Sequence, residues 1–416
     1  MLLVDCLRAD HVGLMGSRLP TTPSLDAWGP ESVLFRSAFV QASWTRPSVP
    51  TLLTGLYPSE HGLTDFIESG PRVEANVLAP EVTTLAEGMQ AAGYRTALVG
   101  YQVQLSPRFG MDQGFDFFNN NTMGAQRIDK RFLGWLDEAP EKPFFAYLHY
   151  LDIHWPYCPP QETFGRFDSS PDALRLCDDW RALRERIRAG TQKLGEKERR
   201  TIAARYAEEL VALDAGIGRL VEELRSRGLW DETLVVLTSD HGEELAERGM
   251  IEHGHTMYDE LLHVPFLWKL PRSWGRARGA SVETLVETRS LLPTLFDLVG
   301  QPVPDAVTAP SLLPWLRGRP PGAKPYERIV AEANGMFAVR NERWKLIVTP
   351  ESAKLELYDL AADPGERTNL AASRPAEVEE LRSQLRRWRA ALRKQRAEAT
   401  TVDDESRKEL GALGYL

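Results

Sequence analysis

Short apolar runs alternate with longer amphipathic stretches from the first residue to about position 300, the pattern of a sheet with helices on both faces. Leu2–Val4, Thr96–Val99, Phe144–Tyr147 and Leu234–Thr238 read as strands, the last two bounded by polar or proline residues. Within Glu198–Arg227, Leu210, Leu213, Ile217, Leu220, Val221 and Leu224 recur at helical spacing, and Gly228 supplies a stop. Segment 158–200 mixes acidic and basic positions and reads as a solvated surface helix or insertion. From about residue 325 the texture changes. Arg328–Glu332, Met336–Val339, Trp344–Val348 and Leu355–Tyr358 are short β-like runs separated by turn residues, which predicts a small antiparallel sheet. Pro375–Ala397 then reads as a basic amphipathic helix that docks onto the body through Val378, Leu381, Leu385 and Trp388. The expected division is an α/β domain over 1–320 and a C-terminal α+β subdomain over 321–416.

Composition narrows the classes. A chain of 416 residues, 43% hydrophobic and 26% charged, can bury one large core plus a smaller appended unit. The formal charge of −9 argues against a nucleic-acid groove as the main surface. No run approaches the ~20 apolar residues of a membrane span. Cys6, Cys158 and Cys177 form neither a disulfide framework nor a zinc-type pair. No signal peptide is visible, so a cytoplasmic location is expected. Met1–Asp5 reads as the end of a strand already under way, so the start of the chain is expected to lie inside a longer one, and a targeting segment with it. Oligomeric state has no signature.

Four polar clusters carry candidate chemistry, and most follow a predicted strand, where the carboxyl ends of an open α/β sheet form the ligand crevice. Asp5 follows Leu2–Val4; a carboxylate there is a hard-cation ligand or a turn cap. Thr45 reads as the N-cap of a helix with Pro47 in its first turn. Its hydroxyl either only caps or meets an oxyanion at the positive end of the helix. Pro50 is expected to distort this turn. Asp240 and His241, directly after Leu234–Thr238, offer a carboxylate and an imidazole to one cation. His154, His253 and His255 are suited to stabilising oxyanions or protonating a leaving alkoxide. Together Asp5, Thr45, Asp240 and His241 predict one divalent-cation site, with Thr45 as nucleophile.

These motifs resemble the sulfatase family within the alkaline phosphatase-like superfamily, along nearly the whole chain. Val4-Asp-Cys-Leu-Arg-Ala-Asp-His11 is similar to that family's opening metal motif. Thr45 through Gly55, with Pro58 and His61-Gly62, matches its nucleophile signature in spacing. Ala91–Thr96, Gly114–Asp116, Pro143–Tyr157, Leu234–Glu243 and Leu357–Leu370 add further matches. The resemblance implies a three-layer α/β/α mixed sheet with a small C-terminal antiparallel sheet plus helix. It implies a divalent metal ion (Ca²⁺, Mn²⁺, Zn²⁺ or Mg²⁺), one by analogy with the threonine-using relatives. A second ion would draw on further ligands such as Asp152 with His154.

The departures redirect the chemistry. By this resemblance sulfatases carry at position 45 a cysteine or serine that becomes formylglycine, and an arginine at position 49, where this chain has Thr45 and Val49. Cys6 replaces the second acid of the opening pair, and the lysine expected near Tyr101 is absent. Thr45 resembles instead the nucleophile of relatives that act on phosphorus. The expected function is a metal-dependent hydrolase of phosphate, phosphonate or sulfate esters, with phosphorus favoured over sulfur. The substrate would be a small-molecule, glycan or lipid ester. A phospho-group transferase to a sugar or lipid hydroxyl and a catalytically silent binding protein are the alternatives.

Overall fold

Leu2, Leu3 and Val4 have nothing polar in their side chains, and their strand lies between two parallel neighbours, Phe144–Tyr150 and Val235–Thr238. The computed structural model describes residues 1–69, 72–170, 180–393 and 397–413; Cys177 and part of the 158–200 segment lie outside these. Leu2–Val4 is an inner strand of an eight-stranded sheet. Its order is Ala280–Glu287, Ser32–Phe39, Phe266–Lys269, Val235–Thr238, Leu2–Val4, Phe144–Tyr150, Arg95–Gly100, Phe117–Asn119. Phe266–Lys269 runs antiparallel to both its neighbours, and the other pairings are parallel.

Successive side chains of a strand point to opposite faces, and Leu2–Val4 obeys this. Leu3 joins a core with Leu52, Leu85 and Leu292. Leu2 and Val4 join another with Ile128, Phe132, Leu210 and Leu213. Helices Thr45–Thr54, Leu85–Ala91 and Leu291–Val299 therefore cover one face, and Ala125–Asp137 and Glu196–Ser226 the other. This is the expected three-layer mixed sheet. Among the described residues no helix is long and apolar enough to cross a membrane.

The small C-terminal sheet is a four-stranded antiparallel meander of Ile329–Ala333, Met336–Arg340, Trp344–Thr349 and Lys354–Asp359. Helix Pro375–Ala391 packs on it through Val378, Leu381, Leu385 and Trp388. The Trp388 ring meets Tyr57 edge-on at 5.0 Å, which ties this unit to the segment after Thr45. The helix ends at Ala391, short of the expected Ala397, because Leu392 turns extended. The chain then supplies a strand, Glu398–Thr401, to a separate small sheet with Phe66–Ser69 and Arg72–Val77.

One buried acid under the sheet is thermodynamically distinctive. Asp129, on helix Ala125–Asp137, accepts the Tyr150 hydroxyl at 2.7 Å. Burial pushes its pKa up from 3.8 to about 7; the Tyr150 bond opposes this and nearby Asp152 adds to it. As pH rises from about 4 to about 7 the unfolded chain gives up this proton before the folded one does, so stability falls across that window. Asp129→Asn keeps an acceptor for Tyr150 and removes the titration. Urea unfolding should find the variant more stable than wild type at pH 8, by on the order of 2–4 kcal/mol. At pH 4 the two should be nearly equal.

Candidate active site

The site is assembled at the carboxyl ends of adjacent strands. Asp5 follows Leu2–Val4, and its N–H donates to the Tyr150 carbonyl at 2.9 Å. Asp240 and His241 follow Val235–Thr238. Ser239 fastens these two strand ends: its hydroxyl donates to the Val4 carbonyl at 2.6 Å and accepts the Leu7 N–H at 2.9 Å. Gly242 lets the Asp240 turn pass close to Glu260, where a Cβ would lie 2.0 Å from the Glu260 carbonyl oxygen. Gly242 N–H donates to the Leu261 carbonyl at 2.8 Å.

Thr45 approaches from the other side. It is the first residue of helix Thr45–Thr54, and Trp44, not Thr45, is the N-cap. The extended backbone belongs to Trp44 (φ −161°), the conformation of a cap residue. The helix runs on through Pro50, where distortion was expected. Thr51 and Thr54 turn their hydroxyls back to the Pro47 and Pro50 carbonyls.

The structure brings the four predicted cation-site residues together. Thr45 Oγ1 lies 3.2 Å from His241 Nε2, which lies 3.3 Å from Asp240 Oδ2 and 3.6 Å from Asp5 Oδ1. His241 Nδ1 donates to the Gly242 carbonyl at 2.8 Å, so Nε2 is the nitrogen turned to the acids. All four residues are fully buried.

Electrostatics makes the cluster asymmetric. Burial by itself would raise Asp5, but the His149 hydrogen bond and the charges of His241, His154 and His149 hold its carboxyl well below the usual range. Asp240 moves the opposite way: burial and the charge of Asp5 raise it, against relief from His241, His149 and the Thr45 hydroxyl. Burial lowers His241, but Asp240 and Asp5 outweigh it and the net shift is upward. Two buried acids beside a hydroxyl and an imidazole are a hard-oxygen and nitrogen donor set with excess negative charge. Ligand atoms of Asp5, Asp240 and His241 lie within 4.8 Å of one another, and a divalent ion fits that set.

The other predicted residues fare differently. His154 is buried, with Nδ1 bonded to the Trp155 carbonyl at 2.8 Å. Its ring packs against His253 at 5.1 Å, and His253 lies 4.3 Å from the His241 ring. His255 turns away to Glu244 Oε2 at 2.8 Å and the His253 carbonyl at 3.2 Å, and it joins none of the potential metal clusters among the described residues. Asp152 does not pair with His154 as a second-ion ligand; its Oδ1 accepts the Ala125 N–H at the start of helix Ala125–Asp137.

Sequence reasoning missed His149, Gln102, Glu243 and Tyr157. His149 Nε2 sits 3.1 Å from Asp5 Oδ2, with Nδ1 2.8 Å from the Tyr147 hydroxyl. Gln102 donates to the same Asp5 oxygen at 3.3 Å, near the place where the resemblance led one to expect lysine. A histidine inside the buried run Phe144–Tyr150 was the available signal. Glu243 accepts the Tyr157 hydroxyl at 2.6 Å and meets His253 Nδ1 at 2.8 Å. Burial would raise this carboxyl, but His253, His154 and Tyr157 hold it at about 2.

Comparison with known proteins gives the family. The family model described as Sulfatase matches residues 1–301. A second, described as N-sulphoglucosamine sulphohydrolase, C-terminal, matches residues 247–395. The chain belongs to the sulfatase family. It is 26% identical to arylsulfatase K of Bos taurus over 89% of this chain and 77% of that one. It is 25% identical to delta 4,5-hexuronate-2-O-sulfatase of Bacteroides thetaiotaomicron over 89% of this chain and 84% of that one. Among solved structures it is similar to phosphonate monoester hydrolase of Agrobacterium radiobacter, with TM-score 0.76, 22% identity, and coverage of 94% and 95%. Another neighbour, described as in complex with its substrate D-glucosamine-2-N,6-O-disulfate, has TM-score 0.74, 20% identity, and coverage of 94% and 97%. The protein is thus a sulfatase-family hydrolase acting on ester bonds, and its family is metal-dependent.

Gly242 offers a test of how the site is held. Gly242→Ala forces its Cβ against backbone, which should cost about 1–3 kcal/mol and shift Asp240 and His241. Thermal unfolding and divalent-ion binding by calorimetry should both weaken relative to wild type.

Proposed function

We propose that this chain hydrolyses phosphate or phosphonate monoesters and diesters of small alcohols or sugars, with Thr45 as nucleophile and sulfate esters as poorer substrates. The observation that carries the reading is the Thr45 hydroxyl 3.2 Å from His241 Nε2, at the N-terminus of a ten-residue helix and beside two buried acids. Asp5, Asp240 and His241, with Thr45, would hold one divalent ion, which when bound acidifies the Thr45 hydroxyl and draws charge from the ester oxygens.

Thr45 Oγ1 forms a bond to phosphorus as the bond to the leaving alkoxide breaks, and the hydroxyl proton leaves to solvent. The positive end of helix Thr45–Thr54 faces the developing negative charge. His154 and His253 are the groups placed near enough to this cluster to bind the remaining oxygens or protonate the leaving alkoxide. Water then attacks the Thr45 ester, the bond between phosphorus and Oγ1 breaks, and Thr45 recovers its proton. The preference for phosphorus rests on Thr45, which cannot form an aldehyde, and on Val49, which is buried in the apolar core and leaves no guanidinium at that position. Residues 1–320 would carry the chemistry, with 321–416 as a supporting subdomain. The sugar-sulfate activities in the names of the relatives favour a sugar-linked ester.

The test is a panel of phosphodiester, phosphomonoester, phosphonate and sulfate esters with added Mn²⁺, Zn²⁺, Ca²⁺ or Mg²⁺. Wild type should turn over phosphorus esters faster than sulfate esters, and Thr45→Ala should lower kcat by about 10³-fold or more. Equal rates for wild type and Thr45→Ala on every ester would overturn the reading.

A further inference from the structure

Beside the predicted cation site lies a second cluster of donors, and its chemistry is softer. Cys6, His241, Glu243 and His253 each offer one ligand atom, all within 4.8 Å of one another. Cys6 Sγ is 3.6 Å from His253 Nδ1, which is 2.8 Å from Glu243 Oε2. In a tetrahedral zinc-type site, bonds of ~2.0–2.3 Å separate the ligand atoms by roughly 3.3–3.8 Å; the Cys6–His253 separation already lies in that range, and His253 and Glu243, now at hydrogen-bond distance, would part by a few tenths of an ångström.

The backbone supplies an independent observation. Cys6 has φ +64°, a left-handed conformation that non-glycine residues rarely adopt. Such strain persists where surrounding structure imposes it, and it clusters at functional sites. Here it belongs to the residue that presents a thiol to two histidines and two acids. Neighbouring groups brace the cluster. Tyr157 donates to Glu243 Oε1 at 2.6 Å, and Tyr206 donates to the Cys6 carbonyl at 2.8 Å. Asp5 Oδ1, which accepts from Cys6 Sγ at 3.1 Å, lies on the boundary with the first cluster.

We propose that Cys6, Glu243 and His253 bind a second, thiophilic divalent cation of the Zn²⁺ or Co²⁺ type, next to the one held by Asp5, Thr45, Asp240 and His241. Binding replaces the thiol proton, which leaves to solvent, and His253 carries its single ring proton on Nε2 so that Nδ1 can donate to the metal. One thiolate, one carboxylate and one neutral imidazole then balance the cation's two charges. The fourth position falls to Asp5 Oδ1, to His241 or to water. This site does not depend on Thr45 acting as a nucleophile.

The experiment uses the full chain in a Cys158→Ser, Cys177→Ser background, where Cys6 is the remaining thiol. After loading with Co²⁺ and removal of excess, metal content is measured by elemental analysis and the near-ultraviolet thiolate-to-cobalt charge-transfer band by absorbance. The expected result is two equivalents and a clear band. Adding Cys6→Ser should remove the band and one equivalent. Asp240→Asn should remove one equivalent and keep the band. Glu243→Gln, which retains the thiol and its surroundings, should weaken Co²⁺ affinity at the band-bearing site by ~10-fold or more. A single equivalent with no band, or a band that survives Cys6→Ser, would overturn the proposal. Loss of ester hydrolysis in Thr45→Ala with the band intact would separate this site from the nucleophile reading.

Discussion

Two carboxylates buried side by side are the constraint around which this molecule is organised. Asp5 and Asp240 end adjacent strands, and both are fully buried. Like charges at that depth repel strongly and have lost their water. The surroundings answer with histidines: His149 and His241 face the acids directly, and His154 adds its charge to Asp5. The residual negative charge is what suits the place to a cation. The strand pairing that brings the acids together is in turn held by Ser239, which reaches across to Val4 and Leu7.

The sheet and helices exist to place this cluster, and their division of labour is visible in the cores. Leu3 faces the layer that contains the Thr45 helix, while Leu2 and Val4 face the layer built on the long helix Glu196–Ser226. One short strand thus fixes Asp5 relative to both layers. The C-terminal meander and its helix are joined to the Thr45 side through Tyr57 and Trp388. Tyr57 also donates to Glu287 and lies under the Arg289 guanidinium, which centres 3.9 Å from its ring. The segment after the Thr45 helix is therefore supported both by the C-terminal unit and by residues at and after the end of strand Ala280–Glu287.

Much of this was legible in the amino-acid sequence, for definite reasons. The strands at Leu2–Val4, Phe144–Tyr150 and Val235–Thr238 are inner strands, so they are predominantly apolar runs. The four-stranded C-terminal meander showed through its turns. Ser32–Phe39 and Ala280–Glu287 were harder. The first carries Arg36 and Ser37 in mid-strand, and the second is an edge strand that alternates polar and apolar residues. At the site, Asp5, Thr45, Asp240 and His241 stood out because motif spacing named them. His149 and Gln102 did not, because their roles arise from sheet pairing that brings Gly100 alongside His149. His253 stands beside His241, while its neighbour His255 pairs with Glu244. Thr45 and Trp44 exchange places at the helix start because a cap is defined by backbone angle, which residue type only biases.

The position of Leu2–Val4 also sets a timetable for synthesis. Its two partners lie at Phe144–Tyr150 and Val235–Thr238, so this strand must wait until both of those distant segments have been made before its two edges are satisfied. Pairings of such long sequence separation close slowly. Until they do, an apolar strand with two open edges is exposed, the kind of segment that nascent chains leave to chaperones. The acid at its tip enters the pocket only once the last of these pairings is made.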